Sequence, residues 1–222
     1  MTHYSRGKAA ANMLLGNFTG YLVTDHYSGY NDVPTDRRQL CWAHLIRHFI
    51  KMSERNGLAG TIGKRLLLIS YAVVRTRHRQ RDNPDDHEQY HRRLLRLRKS
   101  FTATLEQGAE LKLSDRTRNQ CRHLLKDEMM CWTFLNDLSI PLTNNLAERA
   151  IRPYVIWRKL SFASQSFQGD QFRPMILSIV GTTRCLGIRT LGFLRSLCDE
   201  GLRGDPIRTQ LPFDRTTLSA AI

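Results

Sequence analysis

The stretch LTNNLAERAIRPYVIWRK, residues 142–159, predicts a helix that begins with polar and charged side chains, and the rest of the chain is organised around it. Asn145 is a good N-cap, and Pro153 predicts a kink or a restart because it has no backbone N–H to donate. Glu148 falls largely opposite the predicted apolar side, which is formed by Leu146, Ala147, Ala150, Ile151, Tyr154 and Val155. A single carboxylate among arginines near a helix start suggests a metal ligand beside phosphate-binding cations.

Glu148 also has two purely structural explanations. It lies three residues after Asn145, which is capping-box spacing, and four residues before Arg152, which allows an ion pair along the helix. Such a pair contributes only about 0.2–0.5 kcal/mol. The local pattern alone does not decide between a capping residue and a metal ligand, so other parts of the chain must.

The chain of 222 residues is strongly basic, with 34 Lys and Arg against 20 Asp and Glu and a formal net charge of +14. Because each phosphate that a cation neutralises releases counterions, this excess favours a polyanion as the partner. The alternative is a basic protein without such a partner. The length suffices for one large domain, or for one domain with an insertion.

The chain has five widely spaced cysteines, which are Cys41, Cys121, Cys131, Cys185 and Cys198. Because their number is odd and no two form a CxxC pair, the sequence predicts reduced thiols in the cytoplasm. The N-terminal residues lack the apolar region and the cleavage site of a signal peptide. There is no run of eighteen apolar residues, so the sequence predicts neither a membrane-spanning segment nor a membrane partner.

The first part of the chain predicts a helix over residues 5–16 and then a short strand over Tyr21–Thr24. Asp25 follows directly at the carboxyl end of that strand. Ligands of open α/β sheets gather at the carboxyl ends of strands, so this is a favoured place for a catalytic acid. The alternative is that Asp25 simply starts a turn. Residues 27–31 are typical of a turn or a single helical turn.

A second short strand is predicted within residues 37–42, running into a helix that contains His44. Cys41 and His44 have CxxH spacing, which could place a thiolate and an imidazole on one metal ion. A structural zinc usually needs four protein ligands, however, and the other Cys–His pair, Cys121 with His123, lies in a different predicted helix. We therefore expect no zinc here, and expect Cys41 to be buried beside Trp42.

Residues 48–140 have a helical period throughout, with one helix entered through Asn83-Pro84 and another through Ser114-Asp115. Three apolar stripes predict the core of a helical bundle: Leu66, Ile69, Val73 and Val74; Tyr90, Leu94, Leu97, Phe101 and Leu105; Cys121, Leu124, Leu125, Trp132 and Leu135. The polar faces of these helices are heavily basic and contain Arg75, Arg77, Arg79, Arg81, Arg92, Arg93, Arg96, Arg98 and Lys99. These side chains are either solvated or in contact with phosphate, and the density of arginine favours phosphate contacts.

Beyond the opening stretch, the sequence predicts a polar loop from Ser161 to Gly169 that contains Phe162 and Phe167. An apolar helix over residues 171–186 follows and breaks at Gly187. A final helix runs from Arg189 to Leu202, and the tail after it has no pattern.

Four ordered segments resemble the catalytic domain of the insertion-sequence-66 family of bacterial transposases. They are THYSRGKAAANMLLGNFTGYLVTDHYSGY (2–30), RQLCWAHLIRHF (38–49), IPLTNNLAERAIRPYVIWRKLSF (140–162) and ILSIVGTTRCLGIRTLGFLRSL (176–197). The resemblance implies an α/β fold of the ribonuclease-H-like type that is incomplete and carries a large helical insertion. The chain as a whole is then expected to be predominantly helical. The implied parts are a partial core over 1–47, the insertion over 48–140, the glutamate helix and terminal helices over 141–202, and a tail over 203–222.

The resemblance also implies Asp-Asp-Glu chemistry, in which carboxylates hold two divalent ions, Mg²⁺ or Mn²⁺, for strand cleavage and joining. It makes Asp25 the second acid and Glu148 the third. It marks Cys41, His44, Asn144 and Asn145 as structural positions. Among the cations, the candidates for contacts to DNA phosphate are Arg149, Arg152, Arg158 and Lys159, and the alternative is that they form ion pairs with Asp and Glu within the fold. The implied partners are insertion-sequence ends and target DNA, with a homo-oligomer or other element-encoded proteins possible, in the bacterial cytoplasm at the nucleoid.

The chain departs from the family pattern at the first acid. Residues 1–24 contain no Asp and no Glu, and His26 stands where a glycine is usual. Two carboxylates do not readily hold two hard cations. We therefore expect an N-terminally truncated fragment that is inactive by itself. The alternatives are a non-enzymatic, basic DNA-binding remnant and a zinc-dependent regulator built on Cys41 and His44.

Overall fold

The computed structural model describes residues 7–82, 87–112, 114–161, 164, 166–204 and 206–211. Most of these residues are in α-helices, which confirms the expectation of a predominantly helical chain. The chain divides into two compact units, His3–Glu148 and Arg149–Ile222, the second grouped with Met1–Thr2. The finer domain boundaries stay predictions.

The first unit begins with a helix and two short strands and continues as a set of helices. Its elements are α1 (Lys8–Leu15), β1 (Leu22–Thr24), β2 (Arg38–Leu40), α2 (Trp42–Ser53), α3 (Gly57–Asp82), α4 (His87–Ala109), α5 (Asp115–Lys126) and α6 (Glu128–Cys131). Single 3₁₀ turns lie at Ser28–Tyr30, Thr35–Arg37 and Thr133–Leu135. The short turn predicted over residues 27–31 is thus confirmed. The cap predicted at Asn83-Pro84 lies outside the described residues.

The two strands pair in parallel, with Leu22 opposite Arg38, Val23 opposite Gln39 and Thr24 opposite Leu40. The Cys41 N–H donates to the Thr24 carbonyl at 2.8 Å, which extends the pairing by one residue. Because parallel strands point the same way, their carboxyl ends meet at one edge of the sheet. The residues that follow β1 and β2 therefore leave the sheet at the same edge.

The core of the first unit is built around five buried aromatic side chains: Trp42, Phe49, Phe101, Trp132 and Phe134. Neighbouring rings in this group have centroids 5.2–6.0 Å apart, a separation at which aromatic pairs attract beyond their burial. Members of all three predicted stripes lie in this core or pack against it. The interpretation of those stripes as the interior of a bundle is confirmed.

Helix α3 has the length and composition of a membrane span, with a mean hydropathy of 1.3 over an eighteen-residue window of which 39% is buried. The sequence prediction missed this segment because charged residues interrupt its apolar run. Leu66 and Val73 of α3 are fully buried in the core that also contains residues of α2 and α4. This is the packing of a core helix.

Helices α2 and α3 approach each other closely at Gly63. A Cβ added there would lie 2.3 Å from the Ser53 nitrogen and 2.5 Å from the Met52 carbonyl carbon, both backbone atoms. We expect Gly63→Ala to lower the free energy of unfolding by about 1–3 kcal/mol, because the two backbones must separate. Denaturant unfolding measures this. The control Lys64→Ala changes an exposed neighbour on the same helix and should stay within about 0.5 kcal/mol of wild type; equal effects would contradict the close approach.

The five cysteines differ in burial. Cys41, Cys121 and Cys131 are buried, whereas Cys185 and Cys198 are exposed. Burial raises the pKa of Cys121 to about 11 and raises the pKa of Cys131 well above its ordinary value. Since the thiolate is the reactive form, these two thiols should be inert at neutral pH.

A thiol-reactive dye should therefore label two cysteines rapidly in the native chain and all five in denaturant. The double variant Cys185→Ser, Cys198→Ser should lose the rapid phase completely. Rapid labelling that survives in this variant would show that the first unit opens easily, contrary to the packing.

The second unit contains most of α7 (Asn145–Leu160), followed by α8 (Phe167–Cys185) and α9 (Thr190–Arg203). Helix α8 begins earlier than predicted, because the Ser166 hydroxyl accepts the Gly169 N–H at 3.1 Å and caps it. Phe167 is thus the first residue of a helix and not part of a loop; Phe162 lies outside the described residues. Gly187 has a φ of 68°, which suits the predicted break.

Helix α7 differs from its prediction in three ways. It begins at Asn145, so Asn144 and not Asn145 occupies the N-cap position. It continues through Pro153 without a restart. None of its residues is buried, and Leu146 and Ile151 are 77% and 59% exposed. The predicted apolar side is therefore present in the sequence but is not part of a core.

Candidate functional site

Asp25 lies where the sequence predicted, immediately after β1. One of its carboxylate oxygens, Oδ1, accepts the Tyr27 N–H at 3.2 Å, which forms the tight turn that was the structural alternative. The turn orients the carboxylate but engages only one of its oxygens in this contact. The structural and the functional explanation of Asp25 are therefore compatible.

Glu148 lies against the helix that follows β2. The segment before it is tied to the start of α2 by the Trp42 N–H, which donates to the Leu142 carbonyl at 2.9 Å. On the first turns of α2, His44 Nε2 is 3.3 Å from Glu148 Oε1, and Arg47 Nη2 is 4.0 Å from Oε2. Glu148 thus meets cations of a distant helix, beyond the capping and the Arg152 pair considered from the sequence.

The structure consequently brings two of the sequence motifs together. His44 of the CxxH pair and Glu148 of the NNLAER segment are in contact, and the helix that carries His44 starts at the sheet edge where Asp25 also lies. Cys41 is 1% exposed beside the fully buried Trp42, so the prediction of a buried cysteine is confirmed. The sequence did not predict the contact between His44 and Glu148.

Polar atoms without partners accumulate around these residues. Thr24 Oγ1, His44 Nδ1 and Asn144 Oδ1 are buried and have no hydrogen-bond partner within the described part of the chain. Buried polar groups are normally paired, and a catalytic role or a bound ion is one explanation for an exception. Thr24 precedes Asp25, His44 contacts Glu148, and Asn144 lies one turn before Glu148. The orphaned atoms therefore mark the same region as the two acids.

A pair of magnesium ions does not fit the acids that the described residues supply. Two such ions need several carboxylates or other hard oxygen ligands between them. Neither Asp25 nor Glu148 belongs to a group of three potential His, Cys, Asp or Glu ligands in the described ranges. In addition, the Glu148 carboxylate already faces His44 and Arg47. The described residues therefore do not supply a third ligand of this kind beside either acid.

The cations predicted to contact DNA are all exposed and lie on α7: Arg149, Arg152, Arg158 and Lys159. On the predicted basic faces of the first unit, most arginines are also exposed, but two are used internally. Arg98 forms a two-pronged pair with Glu128 at 3.0 and 2.7 Å, and Arg77 donates to the Leu138 carbonyl. These two arginines therefore have partners within the fold, and the phosphate contacts of the basic faces stay a prediction.

Sequence reasoning missed a second cluster, formed by His26, His123 and Asp127. Their nearest ligand atoms all lie within 4.8 Å of one another. His26 Nε2 is 2.5 Å from Asp127 Oδ2, and the two imidazole rings have centroids 4.7 Å apart. Because about a hundred residues separate His26 from the other two, no spacing pattern could reveal the cluster.

A cavity of about 280 Å³ adjoins this cluster and is lined partly by His26, His48 and His123. Burial lowers the pKa of His48, and the nearby positive charges of His44, His26, Lys51 and Arg47 lower it further. His48 therefore favours its neutral form, in which a ring nitrogen is available as an acceptor.

Comparison with known proteins places the site in a family. Residues 1–171, which include both Asp25 and Glu148, match the family described as "Transposase IS66 family". The chain belongs to the IS66 transposase family. The match ends within α8 at residue 171, so it does not reach the segment 176–197 that resembles the family's terminal helices.

Two relatives come from Sinorhizobium fredii (strain NBRC 101917 / NGR234). The uncharacterized protein y4qI is 26% identical over 218 residues, covering 90% of this chain and 39% of the relative. The uncharacterized protein y4jD is 21% identical over 220 residues, covering 93% of this chain and 42% of the relative. This IS66 chain thus spans about two-fifths of the length of these relatives. No solved structure matches it.

Proposed function

We propose that this chain is part of the catalytic domain of an IS66 transposase and carries the second and third acids, Asp25 and Glu148, of a ribonuclease-H-like site. The reaction is metal-dependent phosphoryl transfer, the cleavage and joining of strands of insertion-sequence DNA. The observation that carries the proposal is the family match over residues 1–171, which spans both acids. The contact between His44 and Glu148 at the edge that carries Asp25 supports it.

The chain's own residues have positioning roles in this proposal. His44 and Arg47 hold the Glu148 carboxylate at a fixed place on the first turns of α2. The Tyr27 N–H fixes the orientation of Asp25. Mg²⁺ or Mn²⁺ enters only when a further carboxylate completes the site, since the described residues do not fit the ions alone. The isolated chain is therefore inactive.

DNA is the proposed partner because of the net charge of +14 and the exposed cations of α7, Arg149, Arg152, Arg158 and Lys159. Affinity that rests on phosphate contacts falls steeply as salt rises. A homo-oligomer, or assembly with other element-encoded proteins, remains part of the proposal, as does a cytoplasmic, nucleoid-associated location.

A strand-transfer assay on the purified chain tests the proposal. With labelled DNA ends and Mg²⁺, we expect no cleavage or joining above background. Duplex binding should be present and should weaken strongly between 50 and 200 mM salt, by about 10³-fold if six phosphates are contacted. Efficient joining by the isolated chain would contradict the expectation that the first acid is missing. Absence of duplex binding at low salt would contradict a DNA partner.

An experiment on a fusion protein distinguishes a catalytic role of the chain from DNA binding alone. The chain fused to an upstream IS66 segment that carries an aspartate on a strand should join DNA ends. If such a fusion folds and binds DNA but never joins ends, the chain is a non-enzymatic DNA-binding remnant instead.

A further inference from the structure

We propose that His26, His123 and Asp127 bind one transition-metal ion, with zinc as the ion of choice, at a site separate from the two acids. The inference is independent of the proposed function, because it rests on the cluster alone. Among the described residues, these three form a group in which every ligand atom lies within 4.8 Å of the others.

The donor set selects the class of metal. Two imidazoles and one carboxylate suit Zn²⁺ and its neighbours, whereas Mg²⁺ prefers oxygen ligands in octahedral geometry. Three protein ligands with one open position form a known zinc arrangement. The fourth position is open to water from the adjoining cavity. The earlier expectation against zinc concerned Cys41 with His44 and Cys121 with His123, and neither cysteine belongs to this cluster.

The geometry permits an ion to enter with a small movement. Zinc lies about 2.0–2.2 Å from nitrogen and oxygen ligands, which puts two tetrahedral ligand atoms roughly 3.3 Å apart. The contact of 2.5 Å between His26 and Asp127 must therefore open by somewhat less than 1 Å. Ligand atoms that lie up to 4.8 Å apart must approach each other by up to about 1.5 Å. Both side chains are partly exposed, at 20% and 25%, and His123 is exposed. The adjoining cavity of about 280 Å³ gives room for that adjustment.

A buried arginine lies near enough to the Asp127 carboxylate for their charges to interact. Arg38 is 3% exposed, and two of its guanidinium nitrogens, Nε and Nη2, have no hydrogen-bond partner in the described chain. Its charge interacts with that of Asp127.

A bound ion would join distant parts of the first unit. His26 directly follows Asp25 in the turn after β1, while His123 and Asp127 lie at the end of α5. Zinc would therefore attach the loop that carries Asp25 to the helical bundle. This predicts that zinc raises the thermal stability of the chain, because it binds the folded state alone.

The test is zinc binding to the full chain prepared without a histidine tag. We expect one Zn²⁺ per chain by metal analysis after dialysis, and a rise in melting temperature on adding Zn²⁺. His123→Gln and Asp127→Asn should each weaken binding by more than about 100-fold, since loss of a ligand costs more than loss of an outer partner. His91→Gln, which changes an exposed histidine on α4, should bind as wild type does.

Cobalt and magnesium distinguish the remaining outcomes. Bound Co²⁺ should show visible absorption without a sulfur charge-transfer band, and millimolar Mg²⁺ should not displace Zn²⁺. Absence of bound zinc, equal binding by wild type and folded His123→Gln, or a sulfur band that disappears in Cys121→Ser would each overturn the proposal.

Discussion

Trp42→Ala is expected to lower the free energy of unfolding of the first unit by about 3–5 kcal/mol. Trp42 is fully buried, and its ring centroid lies 5.2 Å from that of Trp132 and 5.6 Å from that of Phe101. Truncation removes both ring contacts and leaves a cavity at the centre of the core. It also removes the hydrogen bond from Trp42 Nε1 to the Cys131 carbonyl at 2.9 Å.

The lost hydrogen bond adds little to this effect. The Cys131 carbonyl also accepts from Gln39 Nε2 at 3.0 Å, so truncation leaves no unpaired buried acceptor. The cavity is therefore the main cause of the loss. Because Trp42 is the first residue of α2 and its N–H binds the Leu142 carbonyl, a rearranged core would also disturb the segment that precedes Glu148.

Denaturant titration followed by far-ultraviolet circular dichroism measures the change without depending on the deleted fluorophore. Leu58→Ala removes a side chain that is 69% exposed on α3 and should cost less than about 0.5 kcal/mol. A Trp42→Ala variant that unfolds at the same denaturant concentration as Leu58→Ala would show that the aromatic core is not formed as described.

The helices of the first unit could be predicted from the sequence because their apolar period is strong. The stripe from Tyr90 to Leu105 is buried as expected, and α5 starts at Asp115 directly after the predicted Ser114. Periodicity reports that a helix has an apolar side, but not what covers it. This is why the apolar side of α7 was recognised from the sequence and yet is exposed.

The candidate site was only partly predictable for a different reason. Asp25 could be placed because a strand end is a local feature of the chain. The contacts of Glu148 with His44, and of His26 with Asp127, join residues from distant parts of the sequence. Only the folded structure brings such pairs together. Arg98 shows the same limit, since its partner Glu128 lies on another helix.

In a transposase that supplies the missing acid, Glu148→Gln is expected to reduce DNA joining by at least about 10³-fold, with duplex binding unchanged. The proposed metal contributes several kcal/mol of charge stabilisation, and each 1.4 kcal/mol is a factor of ten in rate. Glutamine preserves the size and the helix position of the side chain while removing its charge. Loss of activity in this variant therefore reports the carboxylate itself, and not the fold of α7.

His44→Gln separates the positioning of Glu148 from its chemistry. His44 contacts Glu148 at 3.3 Å without reaching the reacting atoms in the proposal, so its loss should cost only about 10–100-fold in joining. Higher Mg²⁺ should restore part of that loss, but none of the loss in Glu148→Gln. The control Glu106→Gln removes an exposed carboxylate on α4 and should leave joining unchanged.

The pattern across these variants distinguishes a catalytic acid from a capping residue. If Glu148 serves only the start of α7, Glu148→Gln should retain most of the joining activity. It should lower thermal stability slightly, because it removes a negative charge from the first turn of a helix. If Glu148 is the third acid, joining disappears while the melting temperature hardly changes. A position at the start of a helix is compatible with both roles of Glu148, as a helix-end residue and as a catalytic acid. The Glu148→Gln variant can therefore decide between them.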